Sequence, residues 1–84
     1  MFYVYVLQNV KEANDYYLGY SSNLRERLKS HNAGKNKSTK NKTWKVVYYE
    51  AYESETIARQ REYKLKHNPR MRQLLMERVK SQSI

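Results

Sequence analysis

Two short tyrosine-bearing strings open this chain, Tyr3-Val4-Tyr5 and Tyr17-Leu18-Gly19. In the helix-like segment that follows, Arg27 and His31 fall within one arc with Leu24 and Leu28, and further on Glu62 sits at the edge of a second helical stripe. Phenol, guanidinium, imidazole and carboxylate thus all come from segments whose local pattern turns them toward packed surface. Buried polar groups are costly unless paired, so such a set is either a polar network or an active site. As an active site, the types fit one reaction. Hydrolysis of a phosphodiester needs a base for the water, positive charge at the phosphate and help for the leaving oxygen. A hydrated divalent metal on a carboxylate supplies the last of these.

Taken singly, each residue has a plain packing role. Tyr5 and Tyr17 suit core positions whose hydroxyls reach a partner. His31 in an apolar arc reads as a structural histidine, and Arg27 can lay its stem over Leu24 and Leu28 with its head in water. Glu62 is four residues from Lys66, a common helical ion pair of small value.

The elements that must position these groups follow from the pattern. Phe2 to Leu7 is aromatic and β-branched with bulk on both alternating faces, which predicts a central strand covered on both sides. Asn9 to Asp15 is turn-like, and Tyr16 to Tyr20 reads as a second strand forming an antiparallel hairpin with the first. Gly19 within it marks a close backbone approach. Asn23 opens a helix and, with Glu26, resembles a capping box; Ala33-Gly34 ends it. Lys35 to Lys42 is a lysine-rich loop carrying Lys35, Lys37, Lys40 and Lys42, either a solvated connection or one that also approaches phosphates. Trp44 to Tyr52 is a third strand. Ser54 caps a second helix with Ile57, Ala58 and Leu65 as its inner stripe. Asn68-Pro69 stops that helix and starts a third, whose packing face is Met71, Leu74, Leu75 and Val79. The order β-β-α-β-α-α predicts an α+β fold: a three-stranded antiparallel sheet flanked by three helices, in a single domain over 1–84 with its core at about 2–79.

Composition bounds the function. A chain of 84 residues has room for one small core. It contains no cysteine, which removes disulfides and thiolate metal sites and suits a reducing, cytoplasmic setting. Met1 to Gln8 is too short for a signal peptide, and nothing approaches the ~20 apolar residues that span a bilayer. With 17 Lys plus Arg against 8 Asp plus Glu, the net charge of +9 favours polyanions, nucleic acid before membrane. Nine tyrosines serve either as strand core or as platforms for bases.

Together these residues resemble the GIY-YIG nuclease superfamily, in particular its small single-domain members and the N-terminal domain of excision-repair nucleases. Tyr3-Val4-Tyr5 stands where the first family triplet would be and Tyr17-Leu18-Gly19 where the second would be. Asn23-Leu24, Arg27, Leu28 and His31 match the family helix, and Ala58, Arg61, Glu62 and Lys66 match its metal-carboxylate helix. The resemblance covers residues 2 to 79. Tyr3 replaces the glycine of the first triplet, Val4 and Leu18 replace isoleucines, and Tyr20-Ser21 stand where other branches place a lysine.

The resemblance implies a divalent-metal-dependent endonuclease hydrolysing DNA, in a setting such as DNA repair. Glu62 would be the sole protein ligand of one Mg²⁺ or Mn²⁺ ion, with water and phosphate completing its shell. Arg27 would hold the scissile phosphate. Tyr5, Tyr17 and His31 would form the base and its hydrogen-bond network, with either tyrosine as the activating phenol. Larger relatives attach separate recognition domains, so a partner protein supplying specificity is a further expectation. Two other readings fit the same residues: a non-catalytic nucleic-acid-binding module with this fold, and a basic adaptor domain.

Overall fold

The strand signals near the N-terminus form a hairpin. In the computed structural model, which describes residues 1–35 and 37–81, β1 (Phe2–Asn9) pairs antiparallel with β2 (Tyr16–Ser21) and with β3 (Trp44–Tyr52). The sheet order is β2-β1-β3, so β1 is central, and Val4, Tyr5, Val6 and Leu7 are all at most 1% exposed. Such double-sided burial is why this strand has no polar face. The helices are α1 (Leu24–Asn32), α2 (Glu55–His67) and α3 (Pro69–Ser81), giving the expected β-β-α-β-α-α order in one α+β domain. Position 36 of the lysine-rich loop and 82–84 of the expected domain lie outside the described residues.

Alternation along the strands divides the core in two. On one face Val4 and Val6 pack with Ala58, Leu65, Leu75 and Val79 from α2 and α3. On the other, Tyr5, Leu7 and Trp44 pack with Tyr17, Val46 and the α1 residues Leu24 and Leu28. A bulge in β3 makes the second cluster possible. Val6 pairs with Tyr48 but Leu7 pairs with Val46, so Val47 is the extra residue. One inserted residue reverses side-chain parity, so Trp44 and Val46 point to α1 while Tyr48 and Tyr52 pack on the other cluster.

The helix ends are built as their sequences suggest, with two refinements. Asn23 accepts from the Glu26 N–H at 3.2 Å, but the Asn23 N–H donates to Ser21 Oγ at 2.9 Å, so Ser21 does what a capping-box glutamate would do. At the other end Gly34 has φ +75°, with Gly34 N–H donating to His31 O and Lys35 N–H to Ser30 O, a Schellman closure. Ser54 caps α2 through Ile57 N–H, and Asn68 caps α3 through Met71 N–H. Two positions expected on packing faces are exposed instead: Ile57 at 52% and Leu74 at 48%. Each lies beside a better-placed neighbour, Ala58 and Leu75, that fills the core.

Glu50 organises the α2/α3 face. Arg61 Nε and Nη2 donate to its two oxygens at 2.9 Å each, and the Tyr48 and Tyr52 hydroxyls donate at 2.6 Å each. Burial alone would raise the Glu50 carboxyl, but these hydrogen bonds, Arg61 foremost, outweigh it and bring it down to about 2. Arg61 is therefore a structural cation tying α2 to β3.

Candidate active site

On the α1 face the hairpin and the helix meet around one imidazole. His31, with no exposed surface, lies with Nε2 2.9 Å from the Tyr5 hydroxyl and Nδ1 2.8 Å from Thr39 Oγ1. A neutral ring satisfies both bonds in either tautomer: Tyr5 O–H donating to Nε2 while Nδ1–H donates to Thr39, or both reversed. Burial, and then the charge of Arg27, push the His31 imidazole below its ordinary value. Burial likewise raises the Tyr5 phenol far above its ordinary value; Tyr17 and Glu62 add to this and Arg27 opposes it. Tyr5 is thus held protonated and His31 neutral, which suits this hydrogen-bond chain.

Tyr5 owes its position to Gly19. The two are Cα partners in the β1–β2 ladder, and a Cβ on residue 19 would lie 2.5 Å from Tyr5 Cζ and 3.0 Å from a Tyr17 ring carbon. A side chain there would force the Tyr5 ring to shift. Tyr17 occupies the same face two residues earlier. Its ring centroid is 4.8 Å from that of His31, 6.4 Å from Tyr5 and 6.4 Å from Trp44. It keeps part of its surface in solvent, unlike Tyr5.

Arg27 and Glu62 complete the surroundings. Arg27 is exposed on α1, yet its charge reaches both Tyr5 and His31. Glu62 comes from α2, its side chain 23% exposed, and its charge reaches Tyr5. Its carboxylate accepts an ion pair from Lys66 Nζ at 3.1 Å, the helical pair anticipated from their spacing. Of the five residues singled out in the sequence, Tyr5, Tyr17 and His31 are in contact, while Arg27 and Glu62 act on Tyr5 through their charges.

The donor set has a definite character. Among the described residues, no group of three or more His, Cys, Asp or Glu is placed to hold a metal ion. A lone, partly buried carboxylate does not make a structural metal cage. It does fit a hydrated Mg²⁺ or Mn²⁺, which keeps several waters and shares its remaining positions with phosphate.

The lysine-rich loop is more than a solvated connection. Lys37–Thr39 form a short 3-10 turn, and Thr39 is fully buried against His31. Its carbonyl accepts from Trp44 Nε1–H at 3.1 Å. Lys42 pairs with Asp15 at 2.8 Å and lies over the Trp44 ring, so it fastens the loop to the β1–β2 connection. Lys35, Lys37 and Lys40 are exposed. Thr39 and Asn32 were not visible as site residues in the sequence. Asn32 Oδ1 accepts from Trp44 N–H at 2.7 Å while its amide donates to Trp44 O at 3.1 Å, clamping the end of α1 to the start of β3. The only sequence signal for Asn32 was its place one residue after His31 at a helix end, where a side-chain amide suits loose backbone.

A family model described as the GIY-YIG catalytic domain matches residues 1–74. A UPF0213 protein of Staphylococcus haemolyticus is 40% identical over 76 residues, covering 88% of this chain and 90% of its own. A UPF0213 protein of Clostridium perfringens is 37% identical over 83 residues, covering 96% and 87%, and one of Oceanobacillus iheyensis 35% over 74 residues, covering 86% and 84%. No solved structure matches the chain significantly.

Proposed function

The chain belongs to the GIY-YIG catalytic-domain family, and from that premise we propose that it is a divalent-metal-dependent endonuclease hydrolysing DNA phosphodiesters in the cytoplasm. The observation that carries this reading is the cluster around Tyr5: its hydroxyl bonded to His31, its ring beside Tyr17, and the charges of Arg27 and Glu62 acting on it. Arg27 binds the scissile phosphate, its permanently charged fork suited to oxygens that gain charge in the transition state. Tyr17, only partly buried, meets the attacking water and takes its proton as a phenolate, having first released its own proton to solvent. Tyr5, buried and protonated, instead holds His31 in place, and Thr39 fixes the far side of the ring. Glu62 would hold the metal ion, which when bound would supply charge neutralisation at the phosphate and help for the leaving oxygen. The exposed Lys35, Lys37 and Lys40 add attraction for the backbone that does not depend on sequence.

The test is nicking of supercoiled plasmid with Mg²⁺ or Mn²⁺. Nicking is expected for the wild type, and its loss in Glu62→Ala and in Arg27→Ala. Persistent nicking by purified Glu62→Ala protein would remove the assignment. A second reading draws on the Glu62–Lys66 pair: with the carboxylate kept by lysine, the domain binds nucleic acid without cutting it. It predicts binding that weakens steeply with salt and no nicking in either metal.

A further inference from the structure

α2 carries an aromatic feature that the chemistry above leaves unused. Tyr63 is 64% exposed, the most exposed large apolar side chain among the described residues. Its ring lies tilted against that of His67, with centroids 4.1 Å apart and planes 36° apart. Tyr63 follows Glu62 and His67 follows Lys66 in the sequence. At about 100° per residue the aromatic pair therefore lies one step round the helix from the Glu62–Lys66 pair. Neither ring supports the core; Ala58 and Leu65 do that from the opposite side of the helix.

The surroundings specify an occupant. Thr56, Arg59, Gln60, Tyr63 and Lys64 line an open concavity of about 520 Å³. Arg59 and Lys64 of that lining place cations beside Tyr63, Arg59 also pairing with Glu55 at 3.6 Å, on a chain of net charge +9. An aromatic face between cations matches a ligand that alternates flat apolar rings with anionic links, which is the chemistry of an unpaired nucleic-acid strand. A duplex stacks its base faces on one another and offers none to Tyr63. An acidic protein surface would match the cations but not the rings.

We propose that Tyr63 and His67 form a stacking platform for an unpaired nucleobase, adjoining the strand segment whose phosphate enters the Glu62 site. The preferred substrate is then single-stranded or locally unpaired nucleic acid. The link to a scissile phosphate rests on the nuclease reading; the stacking itself does not.

The test is fluorescence anisotropy in EDTA, with a short labelled oligothymidylate and a blunt duplex of equal length, for wild type, Tyr63→Ala and Tyr63→Phe. Base–aromatic stacking is worth ~1–3 kcal/mol, so Tyr63→Ala should weaken single-strand binding about 5- to 150-fold. Tyr63→Phe should bind as wild type, and duplex binding should not change. Equal loss for both ligands, or none for either, overturns the proposal. Thermal melting shows that each variant is folded, as expected for an exposed position. The plasmid assay separates the two claims. Stacking through Tyr63 without nicking would fail the nuclease reading alone, and nicking with a Tyr63→Ala variant that binds as wild type would fail the platform alone.

Discussion

Gly19 and Tyr5 face each other across the β1–β2 ladder, and the Tyr5 ring occupies the space where a side chain on residue 19 would lie. The glycine is thus part of the site although it carries no functional group. It lets a tyrosine lie flat on the sheet, with its hydroxyl reaching a helix on the same side. Its backbone needs no glycine for conformational reasons; the requirement is space.

Replacing Gly19 by alanine sets a methyl group against a buried ring held by His31. Overpacking of this kind costs about 1–3 kcal/mol, and for a domain of this size each kcal/mol lowers the Tm by ~4–8 °C. Gly19→Ala is therefore expected to melt well below wild type and to lose plasmid nicking even at temperatures where it is folded. A variant that melts and nicks like wild type would show that the ring has room to move.

Thr39 is expected to matter for the same imidazole from its other side. Thr39→Val keeps shape but leaves His31 Nδ1 facing a methyl group in a buried setting. An unsatisfied buried polar group costs about 1–3 kcal/mol. Thr39→Ser, which keeps the hydroxyl, should recover most of the loss. Chemical denaturation of the three proteins measures this, and equal stability of Val and Ser variants would remove Thr39 from the hydrogen-bond chain.

Acid should act on this fold through two groups. The His31 imidazole titrates lower in the folded chain than its ordinary value of 6.5. The unfolded chain therefore takes up that proton first, and stability present above pH 6.5 is lost as the pH falls below it. Glu50 is depressed from 4.5 to about 2. Its contribution is present above pH 4.5 and disappears as the pH falls from there toward 2. With its side chain 13% exposed, a shift of this size is worth on the order of 3 kcal/mol. Denaturation midpoints against pH should show both declines. Carboxyl NMR should find Glu50 still ionised at pH 3. A Glu50 carboxyl titrating near 4.5 would contradict the Arg61 clamp.

Most of this site could be read from the chain because its members lie in strongly patterned segments. Alternation places Tyr5 and Tyr17 on defined faces, and helical spacing puts Arg27 and His31 beside Leu24 and Leu28. Thr39 and Trp44 escaped that reading for a physical reason. Trp44, Val46, Tyr48, Glu50 and Tyr52 form an unbroken alternating series, which taken alone assigns all five to one face. The bulge at Val47 breaks the series and delivers Trp44 to the α1 side, where it holds Thr39. A bulge depends on the pairing of two strands and leaves no mark in the period of one. The Glu50–Arg61 clamp is hidden similarly, since its partners sit on different elements and only the packed fold brings them together.

The two tyrosines should separate stability from chemistry. Tyr5→Phe removes the partner of His31 Nε2 at a position without solvent, so the variant is expected to lose about 1–3 kcal/mol of stability. Any loss of nicking should be explained in part by the displaced imidazole. Tyr17→Phe keeps the ring packing against His31 and Trp44 at a position that is only partly buried. Its melting temperature should stay closer to wild type. If Tyr17 takes the proton from the attacking water, its loss removes general base catalysis, worth about 10²- to 10⁴-fold, and nicking should fall by that factor in a folded protein. A Tyr17→Phe protein that nicks at the wild-type rate would move the base to another group and leave Tyr17 as packing.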